Sequence, residues 1–495
     1  MIDDTTVRVT TGVSGLDAIA AGGLPEGRLY LLRGAAGTGK TTLAMQFLLD
    51  GVRRGESVLY VSLSQTEEEL RQMAASHGWS LDGVVVQSLA TGELLSDPAQ
   101  QTIFQTADLR LDRTRDAING RIAEIAPHRV VYDSLLEIRL LAADRLRFRR
   151  EILGFKSFLS DQRITALLVD TEHGSVDPAE DQLENIAHGL IQLDKRLPEY
   201  GTAQRRLELK KLRGSAIQDG WHDMSIRRGV GVEVYPRVAP GLQPDEEIGE
   251  APVTCGVAGL DAMLGGGLEG GTTAIVIGQS GTGKSTMASL YARAALERGE
   301  NVALFLFEER VETFFRRSEG LGIELRGHHA QGRLQLRDFN PSEVSPGEFS
   351  QIVVQTVGRH DVGLVVIDSL TGYLAALPEK RRAVTQIQTL LKYLARRSVL
   401  TLLVVAQHGL LGRDAESDLD VSYLGDSVIL LRMHEWRTAI RRTVAIVKKR
   451  HGIHDLGVRE LVIGPGDVRV EPMVAEAGTP PVDGGPQVGL GDGRA

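Results

Sequence analysis

The feature that most constrains the fold of this chain is a phosphate-binding loop that occurs twice. Residues 34–41 read GAAGTGKT and residues 278–285 read GQSGTGKS, so both fit the pattern G-x-x-x-x-G-K-[ST]. Each loop follows a short apolar run and opens a segment with helical periodicity. Because a strand, a glycine-rich loop and a helix in this order bind nucleoside triphosphates, the sequence predicts two nucleotide sites on one polypeptide.

The chemistry expected of each loop follows from its residue types. Glycines let successive backbone N–H groups point at phosphate oxygens, and the following helix adds its positive N-terminal end. The lysine reaches the β- and γ-phosphates, and the hydroxyl after it holds Mg²⁺. The loop residues that we expect to bind ATP are Gly34, Gly37, Thr38, Gly39, Lys40, Thr41, Thr42, Gly278, Gly281, Thr282, Gly283, Lys284, Ser285 and Thr286.

An internal repeat accompanies the two loops. Lys40 and Lys284 are 244 residues apart, and the same offset carries the segment TGVSGLD at 11–17 onto CGVAGLD at 255–261. The repeat predicts two similar α/β domains with mainly parallel sheets. The predicted boundaries are 1–238 for the first domain, 239–251 for a Pro/Gly-rich linker, 252–474 for the second domain and 475–495 for a disordered tail.

Composition narrows the class of protein. The formal net charge is −9, so strong nonspecific binding to nucleic acid is not expected. The single cysteine, Cys255, excludes an internal disulfide and fits a reducing compartment. No apolar stretch has membrane-spanning length and the N-terminus has no signal-peptide pattern, so the sequence predicts a cytoplasmic protein without a membrane partner.

Each repeat contains a second apolar strand that ends in Asp-Ser. These aspartates are Asp133 and Asp368. An aspartate at the carboxyl end of a parallel strand lies where open α/β sheets bind ligands, and there it can help to hold Mg²⁺. The predicted magnesium residues are therefore Thr41 and Asp133 in the first domain, and Ser285 and Asp368 in the second.

The two repeats differ in the carboxylates that hydrolysis needs. Glu308 and Glu309 follow an apolar strand in the second repeat, and either is a candidate to activate the attacking water. The offset of 244 places Ser64 and Gln65 at these positions in the first repeat. Glu67 lies close by, and we interpret it as a helix-start residue, with a one-turn shift toward the site as the alternative. The sequence therefore predicts an asymmetric pair of sites.

These residues resemble the KaiC family of circadian-clock ATPases. The resemblance is carried by the entry Gly-Val-x-Gly-Leu-Asp before each loop, the two phosphate loops, Phe307-Glu308-Glu309 and the two Asp-Ser strands. It implies two tandem RecA-like P-loop NTPase domains that use ATP and Mg²⁺. It also implies a homohexamer stacked as a double ring with ATP between protomers, and KaiB-like or two-component signalling proteins as candidate partners.

The resemblance assigns further residues. Lys211, Arg213, Lys448 and Arg450 are similar to basic motifs that reach the γ-phosphate of the neighbouring subunit in this family; a solvated basic strand edge is the alternative. Ser422 matches the serine of the family's phosphorylated Ser-Thr pair, so serine autophosphorylation is implied there, with an ordinary loop hydroxyl as the alternative.

The combined prediction is an ATPase that binds ATP in both domains and hydrolyses it mainly in the second, and that autophosphorylates as a signalling or clock-like switch. Two other classes stay open: a DNA-acting RecA or DnaB-type ATPase, and an ATP-assembled scaffold without catalysis. Two strand ends, at Glu172 and Gln407, are further candidates to sense the γ-phosphate, although ordinary strand termination explains them equally well.

Overall fold

The computed structural model describes residues 7–89, 107–142, 144–172, 183–198, 202–238, 252–407 and 421–473. The predicted linker and tail lie outside these residues. Two compact units make up the chain. The first comprises the residues up to Pro244 with Phe339–Asp361 and Gly372–Tyr393, and the second comprises Asp245–Asp338, Val362–Thr371 and the residues from Leu394 onward.

The first unit contains eleven strands in its described N-terminal part. They are β1 (Arg8–Val9), β2 (Leu24–Pro25), β3 (Leu29–Gly34), β4 (Val58–Ser62), β5 (Val84–Ser88), β6 (Arg129–Asp133), β7 (Thr165–Thr171), β8 (Gly189–Arg196), β9 (Gln204–Leu212), β10 (His222–Arg227) and β11 (Gly231–Tyr235). The helices here are α1 (Ser14–Ile19), α2 (Lys40–Arg53), α3 (Glu67–Ser76), α4 (Ala107–Ile125), α5 (Leu135–Leu141) and α6 (Arg145–Asp161).

Nine of these strands form one sheet in the order β11-β10-β9-β8-β3-β7-β6-β4-β5. The strands from β8 to β5 in this order are parallel, and β9, β10 and β11 extend the sheet as an antiparallel wing. Every residue of β3, β4 and β6 is buried, as continuous apolar strands covered on both faces require. The carboxyl ends of β3, β4 and β6 therefore lie along one edge of the sheet.

Separate apolar clusters cover the two faces of this sheet. On one face, Leu43, Phe47 and Leu48 of α2 pack with Leu32 of β3 and Tyr60 of β4. On the other face, residues of α4, α5 and α6 pack with the alternate positions of β3, β6 and β7. Successive side chains of a strand point to opposite faces of the sheet, so the two clusters use alternate residues of each strand. The cluster that contains α2 covers one face of the sheet, and α2 begins at Lys40 of the phosphate loop.

Arg129 at the start of β6 is a buried charge, with 1% of its surface exposed. Its guanidinium forms ion pairs with Glu56 and with Asp50, the latter at 3.2 Å. It also donates to the carbonyl oxygens of Thr10 and Phe47, each at 2.8 Å. Removing one side of such a buried ion pair leaves the other side uncompensated, which lowers the free energy of unfolding.

The chain from residue 252 repeats this plan. Its strands are β12 (Thr273–Gly278), β13 (Asn301–Leu306), β14 (Leu334–Asp338), β15 (Val362–Asp368), β16 (Leu400–Ala406), β17 (Ser427–Trp436), β18 (Ala439–Lys449), β19 (Arg459–Gly464) and β20 (Asp467–Pro472). Its α-helices are α7 (Ala258–Met263), α8 (Lys284–Glu297), α9 (Val311–Gly320), α10 (Arg326–Ala330), α11 (Pro346–His360), α12 (Leu370–Ala375) and α13 (Lys380–Arg396).

The second sheet has the order β14-β13-β15-β16-β12-β17-β18-β19-β20. The strands from β14 to β17 in this order are parallel, and β18, β19 and β20 form an antiparallel wing like that of the first sheet. The prediction of α/β architecture with two mainly parallel sheets is confirmed.

Candidate nucleotide-binding sites

Both phosphate loops turn into their helices through a left-handed glycine. Gly39 precedes α2 with φ of 107°, and Gly283 precedes α8 with φ of 103°. A Cβ atom on Gly39 would lie 2.5 Å from Cδ1 of Ile226, and one on Gly283 would lie 2.5 Å from Cδ1 of Ile463. Glycine is therefore required at each position by backbone conformation and by contact with an isoleucine of the antiparallel wing.

The loop lysines lie against their own loops. Lys40 Nζ donates to the carbonyl oxygens of Gly34 at 2.7 Å and Ala35 at 2.9 Å, and Lys284 Nζ donates to that of Gln279 at 2.8 Å. Burial lowers the pKa of both ammonium groups, and the nearby strand-end aspartates oppose that shift. A cation in such a desolvated position is suited to an anionic ligand such as a phosphate group.

The strand-end aspartates meet the loop hydroxyls, as the sequence predicts. Asp133 Oδ2 accepts hydrogen bonds from Thr41 Oγ1 at 3.1 Å and from the Tyr60 hydroxyl at 2.7 Å. In the second site the Ser285 hydroxyl lies near Asp368 and acts to lower its pKa. Burial raises the pKa of both aspartates, and the hydroxyl donors counteract it. Tyr60 was missed in the sequence, where it reads as one more apolar residue of a buried strand.

The hydroxyl and carboxylate pairs fit a magnesium ion. Mg²⁺ prefers oxygen ligands, keeps several waters and is usually held by one or two carboxylates together with substrate phosphates. Among the described residues no group of three or more His, Cys, Asp or Glu side chains is arranged to hold a metal ion. Thr41 with Asp133, and Ser285 with Asp368, each offer one hydroxyl and one carboxylate, which suits an ion that a nucleotide's phosphates also bind.

A cavity of about 670 Å³ opens beside the second phosphate loop. Its lining includes Lys284, Ser285, Asp368, Glu308 and Glu309, so the structure brings together the groups that the sequence singled out.

The two adjacent glutamates in this cavity have different environments. Glu308 is exposed, and its Oε1 accepts a hydrogen bond from Ser369 Oγ. Glu309 forms a two-point ion pair with Arg317, at 2.5 Å and 3.4 Å, and is 21% exposed. The carboxylate of Glu308 is thus the more accessible of the two, a distinction that the sequence did not provide.

The first site has no glutamate at the end of β4. Ser62 Oγ donates to the carbonyl oxygen of Gln65 at 2.7 Å, which closes the turn after the strand. Glu67 is exposed and pairs with Arg71 at 2.6 Å. Thr66 caps α3 in a complete capping box, so the interpretation of the following glutamates as first-turn residues is confirmed.

The two further strand-end candidates lie next to the phosphate loops. The backbone N–H of Glu172 donates to Gly34 O at 3.2 Å, and that of Gln407 donates to Gly278 O at 3.0 Å. The Glu172 carboxylate accepts a hydrogen bond from Gln192 at 3.0 Å. Glu172 and Gln407 are therefore each held by a backbone hydrogen bond at the first glycine of a phosphate loop.

The basic motifs occupy equivalent places in the two sheets. Lys211 on β9 lies opposite Leu190 of β8, and Lys448 on β18 lies opposite Val428 of β17. The register shifts directly after each of these pairs, and such bulges redirect side chains. No hydrogen bond or ion pair joins these lysines to the phosphate loops within the described residues.

The side chains of these motifs contact nearby backbone and carboxylate groups. Lys211 donates to Glu184 O at 2.5 Å, and Lys448 donates to Gly425 O at 2.7 Å. The exposed arginines behave similarly: Arg213 donates to Asn185 O at 2.7 Å, and Arg450 pairs with Asp426 at 3.1 Å.

A group of cations surrounds the first basic motif. Burial and the charges of neighbouring cations, Arg213 among them, lower the pKa of Lys156, Lys211 and His188, and that of His188 falls to about 4. Because these cations repel one another, a bound anion would stabilise this surface.

Ser422 begins a short 3₁₀ helix, Ser422–Leu424, and is exposed. Its carbonyl oxygen accepts a hydrogen bond from Lys448 at 3.3 Å. The predicted phosphorylation position and the second basic motif are therefore neighbours.

A family model described as "ATPase: KaiC" matches residues 9–239 and 253–474. The chain belongs to the KaiC family. The resemblance drawn from the motifs is confirmed, and this KaiC-family ATPase consists of two tandem RecA-like α/β domains.

Curated relatives agree with this assignment. The KaiC3 circadian clock protein of Synechocystis is 26% identical over 94% of this chain and 92% of its own. The KaiC circadian clock oscillator proteins of Picosynechococcus and Rippkaea orientalis are 26% and 27% identical, and cover 94% and 92% of this chain and 89% and 87% of their own. Among the described helices of this KaiC-family chain, none is long and apolar enough to cross a membrane.

Proposed function

We propose that this chain binds Mg²⁺-ATP at both phosphate loops and hydrolyses it mainly at the second. The observation that carries the proposal is the cavity in which Glu308 and Glu309 lie with Lys284, Ser285 and Asp368. The end of β4 in the first domain presents no glutamate at the matching position, because Ser64 and Gln65 stand there.

Each residue of the second site has a distinct role in this proposal. Lys284 binds the β- and γ-phosphates, and Ser285 and Asp368 hold the magnesium ion. Glu308 orients the attacking water and accepts its proton, and Glu309 fixes the position of Arg317. The metal ion supplies neutralisation of the charge on the phosphate oxygens when it is bound.

At the first site, we infer that Lys40, Thr41 and Asp133 hold ATP chiefly as a bridge between protomers. ATP binding then stabilises the assembly by mass action. The assembly we propose is a homohexamer stacked as two rings, as the resemblance to KaiC implies. Lys211, Arg213, Lys448 and Arg450 would act across protomers on the γ-phosphate, and the equivalent bulges beside both lysines support that role.

The wider role proposed is a signalling or clock-like switch. The relatives are named as circadian clock proteins, and KaiB-like or two-component signalling proteins are therefore candidate partners. Autophosphorylation on Ser422 is part of this proposal and is supported by its exposure and its neighbour Lys448. The family's threonine is replaced by Tyr423, which argues for a single phosphoserine. The domain boundaries and a cytoplasmic location stay predictions.

The test compares Lys40→Ala and Lys284→Ala with the wild type for phosphate release and for binding of a fluorescent ATP analogue. We expect Lys284→Ala to remove most turnover, since its lysine contacts the phosphates of the active site, and Lys40→Ala to remove less. A wild-type chain that binds ATP without turnover would indicate the scaffold alternative. Turnover that rises with added DNA and falls steeply with salt would indicate a DNA-acting motor.

A further inference from the structure

The serines that follow the two strand-end aspartates each donate to a carboxylate. In the second domain, Ser369 Oγ donates to Glu308, which comes from the end of β13. In the first domain, Ser134 Oγ donates to Oε2 of Glu137 at 2.7 Å. Glu137 belongs to α5 rather than to a strand end. Equivalent hydroxyls thus contact carboxylates that reach them from different elements.

The glutamate that contacts the serine stands at a different sequence position in each domain. The position of Glu308 in the first repeat is occupied by Ser64, and the position of Glu137, four residues after the strand-end aspartate, is occupied by Gly372 in the second repeat. Each domain therefore has one glutamate bound to its serine, and each lacks the glutamate that the other uses.

The contact of Glu137 is not part of a full capping box. Thr66 Oγ1 makes the same kind of contact with Glu69, at 3.1 Å, but these two residues also form both backbone bonds of a capping box on α3. Ser134 is the N-cap of α5, and its side chain forms no hydrogen bond to the helix backbone. Glu137 is half-buried, and within the described residues no cation forms an ion pair with it. Its carboxylate is available to accept a further hydrogen bond.

Glu137 is also close to the groups that would bind nucleotide. Ser134 is buried and directly follows Asp133, whose Oδ2 accepts a hydrogen bond from Thr41 of the phosphate loop. Ser134 Oγ thus holds the Glu137 carboxylate one residue beyond Asp133, at the carboxyl edge of the sheet.

We propose that Glu137 is the carboxylate that orients and deprotonates the attacking water in the first nucleotide site. This inference rests on the proposed binding of ATP at residues 34–41. The water oxygen forms a bond to the γ-phosphorus as the bond to the β,γ-bridging oxygen breaks, and ADP leaves with that electron pair. Glu137 accepts the water proton and returns it to solvent. The first site thus hydrolyses ATP, with one carboxylate where the second site has two.

The test isolates the first site in a full-length Glu308→Gln, Glu309→Gln chain. Its remaining phosphate release is assigned to the first site by its loss on adding Lys40→Ala. We expect Glu137→Gln to lower that release about a hundredfold in kcat with little change in KM. Glu68→Gln makes the same chemical change at an exposed position of α3 and is expected to leave the rate unaltered.

A second variant leaves the charge in place. Ser134→Ala removes only the hydrogen bond that holds Glu137, and we expect a loss of about fivefold, from a hydrogen bond of about 1 kcal/mol. Binding of a fluorescent ATP analogue confirms that each variant is folded. An unchanged rate in Glu137→Gln, or no Lys40-dependent release in the parent chain, overturns the inference. Turnover by the wild type would still support the proposed function in either case.

Discussion

The different environments of Glu308 and Glu309 lead to a quantitative prediction for single substitutions. Glu308→Gln keeps the size of the side chain but removes the proton acceptor. General-base catalysis contributes about 10²- to 10⁴-fold, or about 2.7 to 5.4 kcal/mol of transition-state stabilisation, so kcat is expected to fall within that range. Glu309→Gln removes a partly exposed ion pair with Arg317 but not the proposed proton acceptor, so we expect kcat to fall by less than about tenfold.

The assay is steady-state phosphate release at saturating Mg²⁺ and ATP, with nucleotide binding measured in parallel. Glu319→Gln is the matched control, because Glu319 is a partly exposed carboxylate of α9 that pairs with Arg326 at 2.8 Å, and neither residue lines the cavity. A greater loss in Glu309→Gln than in Glu308→Gln would refute the argument, since accessibility of the carboxylate would then not identify the base.

Three further predictions concern assembly, stability and pH. Lys40→Ala is expected to weaken assembly in ATP more than it lowers activity per assembled ring, because it removes the proposed bridge; analytical sedimentation with and without ATP measures this. Arg129→Met is expected to destabilise the first domain by about 3–5 kcal/mol, because the partly buried Glu56 carboxylate and the carbonyl oxygens of Thr10 and Phe47 lose their donor; denaturant unfolding measures this. The folded-state pKa of His188 lies near 4, below its ordinary 6.5, so its contribution to stability is present above pH 6.5 and is lost as pH falls toward 4. His188→Gln is therefore expected to lose less stability than the wild type over that interval.

Each of these experiments has an internal comparison. If Lys40→Ala forms intact rings in ATP, the first site does not act as a bridge between protomers. Leu364 of β15 occupies the strand position that Arg129 occupies on β6, and it carries no charge. If Leu364→Met and Arg129→Met lower the free energy of unfolding equally, the partners of Arg129 do not explain the loss. Equal pH sensitivity of His188→Gln and wild type would show that other groups cause the acid destabilisation.

Much of this architecture was predictable from local sequence. A continuous apolar run, a glycine-rich turn and a helical period each depend on neighbouring residues, so the two phosphate loops were found with their flanking elements. The strand-end position of Asp133 and Asp368 and the cap formed by Thr66 were predictable for the same reason.

The missed residues depend on contacts between elements that are distant in the sequence. Tyr60 bonds Asp133 across two neighbouring strands, and Arg129 gathers partners from three other segments. Aligning the repeats at the offset of 244 also does not find Glu137, because the carboxylate that we propose for the first site comes from a helix and that of the second site from a strand end. The only signal was the spacing Ser-x-x-Glu after a strand-end aspartate, and that spacing more often marks a helix cap.

The isoleucines that touch the phosphate loops have a mechanical consequence. Ile226 lies on β10 and Ile463 on β19, and these strands pair with β9 and β18, which carry Lys211 and Lys448. A loop that tightened around a triphosphate would press on these isoleucines and shift the strands that carry the cation proposed to serve the next protomer. Occupancy of one pocket would alter affinity at the next, and ATP saturation curves of the assembled ring are expected to be cooperative.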